Sequence, residues 1–179
     1  VLASDLSGKS NIVSKSKEFK KKLSEEETKK ITKIIKEKES QGYHYEAADA
    51  SLILLMLKNT HQHNSLFKTE KFKVITERSK GKDINKALVI IKINNKRKKA
   101  IGSGDGPIDS LNNALRKNII KFYPHIKNIH LTDFKVRIID GNKATKATTR
   151  VLIESTDGEE TWTTIGVSND IITASYEAL

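Results

Sequence analysis

From Leu66 onward, apolar and polar residues alternate with period two, and after one helical interruption the alternation returns. "FKVITERS" (72–79), "KALVIIKINN" (86–95) and "KRKKAIGS" (96–103) read as three strands, the last two joined by a turn at Asn94-Asn95. A helix is expected from Pro107, because Ile108, Leu111, Leu115, Ile119 and Phe122 share one face and the pattern stops before Pro124. Alternation resumes in "HLTDFKVRIID" (130–140), "TKATTRVLIEST" (145–156) and "EETWTTIGVS" (159–168), with turns at Gly141-Asn142 and Asp157-Gly158. A last helical pattern closes the chain.

The order is strand-strand-strand-helix, twice, and the letters repeat with it. Phe72-Lys73-Val74 recurs as Phe134-Lys135-Val136. "IGSGDGPIDSLNNAL" lies over "IGVSNDIITASYEAL" without a gap, matching at Ile101/Ile165, Gly102/Gly166, Ile108/Ile172, Ala114/Ala178 and Leu115/Leu179. The expected fold class is therefore α+β, with two βββα units related by a pseudo-two-fold axis. One three-stranded sheet with one helix buries too little alone, so the units are expected to pack on each other.

Ahead of them the pattern is helical. Val1 to Phe19 is polar and reads as loop. Ser24 and Glu27 form a capping box, with Leu23 placed to staple the first turn. Ile31, Ile34 and Ile35 then make one narrow apolar stripe. Gly42 breaks the pattern, and a second helix follows with Ala47, Ala48, Leu52, Leu55 and Met56 on one side. Ile53, Leu54 and Leu57 widen that stripe, which predicts burial on two sides.

Composition narrows the function classes. The 179 residues include no cysteine, which excludes disulfides and thiolate zinc sites. No apolar run approaches the roughly 18 residues of a membrane span, so no membrane partner is expected, and a cytoplasmic location is. The formal net charge of +11 raises nucleic acid as a partner, but lysines interleaved with glutamates over helix faces favour a solvated basic surface. The opening on Val1 and the helical pattern still running at Leu179 lead to the expectation of a piece of a longer protein.

The glycine-rich "GSGDGP" at 102–107 lacks the Lys-Ser/Thr pair of a P-loop and the spacing of a dinucleotide fingerprint. Two readings stay open: a tight strand-to-helix corner with Pro107 at the first helical position, or a corner where a small ligand approaches the backbone. "HQHN" (61–64) offers two metal ligands without a convincing third, so no metal site is assigned. His44, His125 and His130 stand singly, and no catalytic constellation is visible.

Together, "SDLSGKSNI", "GYHYEAADASLILL", "GSGDGPIDSLNNALRK", "FYPHIKNIHLTDFKVRIIDG" and "RVLIESTDGEETWTTIGVSNDIITASYEAL" resemble the C-terminal region of the citramalate synthase and 2-isopropylmalate synthase family. The resemblance implies a linker subdomain over 1–64 and an allosteric domain over 65–179, with repeats at about 66–124 and 129–179. It implies a parent acyltransferase that condenses acetyl-CoA with a 2-oxo acid in a metal-dependent barrel absent here, so no cofactor is expected in this chain. The family's metal-binding His-x-His-Asn lies in that barrel and is not carried over to His61 and His63. A homodimer is implied, as is contact with the parent's barrel, together with isoleucine as feedback effector. Leucine, with a 2-isopropylmalate synthase parent, and a dimerisation module without effector are the alternatives. By position, the implied effector contacts are Asp105, Gly106 and Ile108 at the corner, Leu131, Phe134 and Ile138 on the following strand, and Thr145, Ala147 and Thr149 on the next. Leu131 and Phe134 break strict alternation, which calls for a bulge or for a pocket shared between subunits.

Overall fold

The computed structural model describes residues 23–60 and 65–179; the loop expected over Val1–Phe19 and the histidines of "HQHN" lie outside them. The chain divides into two compact units, Val1–Asn64 and Ser65–Leu179.

In the first unit, α1 (Glu25–Ser40) starts at the Ser24 cap. The Ser24 amide donates to Glu27 Oε2 at 2.9 Å and the Glu27 amide to Ser24 Oγ at 3.1 Å, so both halves of the capping box form. Gly42 takes φ 108°, which ends the helix, and α2 (Asp49–Asn59) follows a short 3-10 turn at Tyr45–Ala47. Ile31, Ala48, Leu52 and Met56 are buried. The broad stripe on α2 is less deeply covered than its width predicts: Ala47 sits exposed in the 3-10 turn, and Leu54 is 38% exposed.

The second unit holds two antiparallel three-stranded sheets in sequential order. The first comprises β1 (Lys68–Ser79), β2 (Lys82–Ile93) and β3 (Lys96–Gly104), followed by α3 (Pro107–Ile119). The second comprises β4 (His130–Ile138), β5 (Thr149–Thr156) and β6 (Thr161–Ser168), followed by α4 (Ile171–Ala178). The two βββα units expected from the pattern are present. Asn94 and Asn95, at φ 47° and 60°, make the predicted β2–β3 turn, where asparagine tolerates the left-handed region.

Each helix packs on its own sheet, and the repeated glycines explain how closely. A Cβ at Gly102 would overlap the Ser110 carbonyl oxygen and the Ala114 amide nitrogen; at Gly166 it would overlap the Ala174 carbonyl oxygen, with the Ala178 nitrogen at 3.0 Å. Helix backbone thus lies directly on strand backbone in both copies, over Ala114 in one and Ala174 and Ala178 in the other. Val89, Ile91, Ile93, Leu111, Leu115 and Ile119 fill the first core, each side chain contributing about 1.5–3 kcal/mol by burial. The second core is smaller: Val151, Ile153, Ala174 and Ala178.

Two boundaries differ from the sequence reading. The tight turn at Gly141-Asn142 is instead a wide loop with 3-10 geometry over Gly141–Lys146, and β5 begins at Thr149. The Asp140 carboxylate causes this by accepting the Thr148 amide, while the Ile139 amide donates to the Thr148 carbonyl at 2.9 Å. Thr145 and Ala147 therefore precede the strand expected to carry them. The helix opened by Pro107 ends at Ile119, and Pro124 starts a 3-10 segment, Pro124–Asn128.

Candidate functional site

The strand-to-helix corner is built by packing at its start and open at its end. A Cβ on Gly104 would meet the Ser110 nitrogen at 2.6 Å, whereas one on Gly106 would meet nothing within 4 Å. Asn85 Nδ2 donates to the Asp105 carbonyl at 3.1 Å, and the Asp105 amide donates to Asp109 Oδ2 at 3.0 Å. Two of the three glycines therefore serve helix docking, and only Gly106 leaves room for something else. Gly106 supplies no side-chain cap to α3. At the equivalent start of α4, Asp170 Oδ1 accepts the Thr173 amide at 2.7 Å.

α3 is fixed on its sheet by Asn118 Nδ2, which donates to the Val89 carbonyl at 3.0 Å, and by Asn113 Nδ2, which donates to the Ser103 carbonyl at 3.0 Å. Ile108, Asn112 and Arg116, spaced by four, form a separate ridge. That ridge faces β4 across a pocket of about 480 Å³, lined also by Asp109, Ile129, His130, Leu131 and Phe134. The volume falls within the roughly 300–1,000 Å³ of small-molecule sites. A narrower space of about 160 Å³ adjoins it, between Leu115, Ile119, Ile153 and Trp162.

The strand supplies its two apolar lining residues through a bulge. Leu131 pairs with Ser155 and Asp133 with Glu154, leaving Thr132 as the extra residue. The bulge turns Leu131 and Phe134, three apart, toward the same helix-bearing face. β1 carries the same irregularity between Thr69 and Lys71, so it belongs to the repeated unit. Arg116 holds the opposite wall: Nη1 donates to the Ile129 carbonyl and Nη2 to the Ile126 carbonyl, both at 2.8 Å.

Of the nine residues expected to contact an effector, Ile108, Leu131 and Phe134 come together in this pocket. Asp105 and Gly106 sit at the start of the same helix, outside the lining. Ile138 pairs with Thr149 at the far end of β4, about 13 Å from Phe134 at strand rise, and Thr145 and Ala147 lie in the loop beyond. Asp109, Asn112, Arg116, Ile129 and His130 were not anticipated. A polar residue on a helix reads as solvent-facing unless the partner of that face is known.

Electrostatics elsewhere on β4 and its loop are local. Lys135 pairs with Asp133 and lowers its carboxyl below the usual range, and the Asp133 carboxylate in turn raises the Lys135 ammonium. The Asp140 carboxyl is lowered by Lys143 at 2.6 Å and then by the Thr148 amide. Among the described residues, no group of three or more His, Asp or Glu is arranged to hold a metal, and no helix is long and apolar enough to cross a membrane.

A doubled βββα domain, each helix laid on its own sheet and reaching toward the other half, with a pocket at one such junction, defines the structural class. The chain belongs to the LeuA allosteric (dimerisation) domain family, which matches residues 46–179. Over its whole length it is similar to three proteins named (R)-citramalate synthase. It is 43% identical to that of Geobacter sulfurreducens, 40% to that of Aquifex aeolicus and 39% to that of a Synechocystis species. The chain spans about a third of each, 35%, 35% and 34% of their lengths.

Proposed function

We propose that residues 65–179 form the effector-binding domain of an acetyl-CoA-dependent acyltransferase, a citramalate synthase joining acetyl-CoA to pyruvate, and that isoleucine bound here inhibits it. The observation that carries this reading is the chemistry of the pocket. Ile108, Ile129, Leu131 and Phe134 offer an apolar slot for a branched side chain, flanked by one cation, Arg116, and one anion, Asp109. A free amino acid carries the complementary pair. Arg116 uses two of its five N–H donors on backbone carbonyls and retains donors for a carboxylate; Asp109 attracts the ammonium. The names of the relatives support the parent activity.

The domain acts as a homodimer in this proposal. On the helix-bearing face of β4, Phe134, Val136 and Ile138 are 40%, 39% and 65% exposed, an apolar strip that a second copy would cover. Ile138 and Thr145, both exposed, act as effector contacts where that copy brings its own pocket over them, with Ala147 and Thr149 buried within the protomer behind them and Asp105 and Gly106 at the pocket's helix-start edge. Residues 1–64 join the domain to the catalytic barrel, and effector binding shifts the populations of that linker.

Isothermal titration calorimetry with isoleucine and with leucine tests the reading. Tighter binding of isoleucine is expected, by the factor of about 10–200 that repositioning one methyl group commands. Tighter leucine binding favours a 2-isopropylmalate synthase parent. A dimer by sedimentation that binds neither leaves a dimerisation module and refutes the effector assignment.

A further inference from the structure

The internal repeat predicts two pockets, and one of them is filled. Superposing the repeats places Ile108 on Ile172, Asn112 on Tyr176, Phe134 on Phe72 and Leu131 on Thr69. The open pocket lies between the α3 ridge Ile108–Asn112 and the Leu131–Phe134 bulge of β4. Its pseudo-two-fold mate lies between the α4 ridge Ile172–Tyr176 and the Thr69–Phe72 bulge of β1. There the Tyr176 ring stacks on Phe72, centroids 4.6 Å apart and planes 26° from parallel, and its hydroxyl lies 2.7 Å from Thr69 Oγ1. Ile172 and Tyr176 both join the first core.

We infer that Tyr176 is a built-in plug occupying the position that the ligand's apolar side chain takes in the other half, and that Asn112 is the residue that keeps the second site open. Two exchanges act together. Asn for Tyr removes a ring from the cavity, and Leu131 for Thr69 removes the hydroxyl that fastens that ring, leaving an apolar wall. The doubled domain consequently holds one effector site per protomer instead of two. Asn112 thereby determines which of two equivalent junctions binds. The inference rests on the effector reading above and adds to it the origin and number of the sites.

The test compares wild type, Asn112→Tyr and Tyr176→Asn in the 179-residue chain, by calorimetry with isoleucine and leucine and by thermal melting. Wild type should bind one equivalent per protomer. Asn112→Tyr should lose affinity by at least about 100-fold, on the scale of discrimination by a filled pocket, and melt no lower than wild type, since its ring enters existing space against Phe134. Tyr176→Asn should melt lower. Asn112→Leu, which part-fills the same space, should weaken binding if the tyrosine variant does not fold. Two equivalents per protomer in wild type, unchanged affinity in Asn112→Tyr and Asn112→Leu, or an Asn112→Tyr that melts as low as Tyr176→Asn would each overturn the inference. Should wild type bind neither amino acid while Asn112→Tyr melts higher, the effector assignment falls and the plug relation stands. Should it bind neither and Asn112→Tyr melt lower, both fall.

Discussion

Replacing Gly166 by alanine puts the helix-on-strand contact to a direct test. The added methyl would sit 2.9 Å from the Ala174 carbonyl carbon and 3.0 Å from the Ala178 nitrogen, and would overlap the Ala174 oxygen. Ordinary carbon contacts lie at about 3.5–4.0 Å, and the overlapped Ala174 oxygen is nearer than either of these atoms, so α4 must withdraw by more than about 1 Å. The obstructing atoms are helix backbone, which has no rotamer to change. Overpacking of this kind costs about 1–3 kcal/mol, and an obstacle made wholly of helix backbone argues for the upper end. For a domain of this size, about 3 kcal/mol corresponds to a Tm lowered on the order of 10–20 °C. Gly102→Ala should behave alike, because its methyl would overlap Ser110 and Ala114 backbone in the same way. Gly106→Ala is the control: nothing lies within 4 Å of its Cβ, and the expected loss is at most about 1 kcal/mol, from alanine's poor fit at a helix cap. Melting followed by circular dichroism reads all three. If Gly102→Ala and Gly166→Ala melt within a degree or two of Gly106→Ala, close backbone approach is not why these glycines recur.

Phe134→Ala should weaken isoleucine binding by about 10- to 200-fold with little change in Tm, since the ring is already 40% exposed; titration and melting on one sample separate these effects, and a large Tm loss would mean the ring belongs to the core. Asp140 has its carboxyl lowered by Lys143 and the Thr148 amide, so its contribution to stability is present above the unfolded value of about 3.9 and is lost as pH falls through the lower folded value. Asp140→Asn should therefore melt below wild type at pH 7, with the gap closing under pH about 4, and a gap constant down to pH 2 would contradict the assignment. Tyr176→Phe keeps the ring on Phe72 and removes only the bond to Thr69, so it should lose about 0.5–1.5 kcal/mol and leave isoleucine affinity unchanged; altered affinity would mean the two junctions communicate.

What the sequence disclosed, and what it hid, follows from how local each cause is. The capping box at Ser24 and Glu27, the Asn94-Asn95 turn and the recurrence of Gly102 at Gly166 are settled within a few residues or by comparing one repeat with the other, and all could be read from letters. The loop over 139–148 could not, because its shape depends on the Asp140 carboxylate reaching the Thr148 amide, a pairing that competes with the tight turn favoured by Gly141-Asn142. The bulge at Thr132 left a trace in the broken alternation of Leu131 and Phe134. Only the pairing of Leu131 with Ser155 and of Asp133 with Glu154 shows that this break gathers both side chains onto one face.

The polar lining of the pocket is the instructive case. Asn112 and Arg116 lie on a helix face that a hydrophobic pattern assigns to solvent, and the face acquires its meaning only when β4 is placed opposite it. Yet the decisive letter was present in the gapless superposition, where Asn112 stands against Tyr176. Identities between repeats mark what both halves need to fold: Gly102 and Gly166 for close approach, Ala114 and Ala178 beneath them. A function carried by one half alone has to appear as a difference between the copies. A change from a large aromatic to a small amide, at a junction both halves otherwise build alike, is the kind of difference that converts packing into an opening.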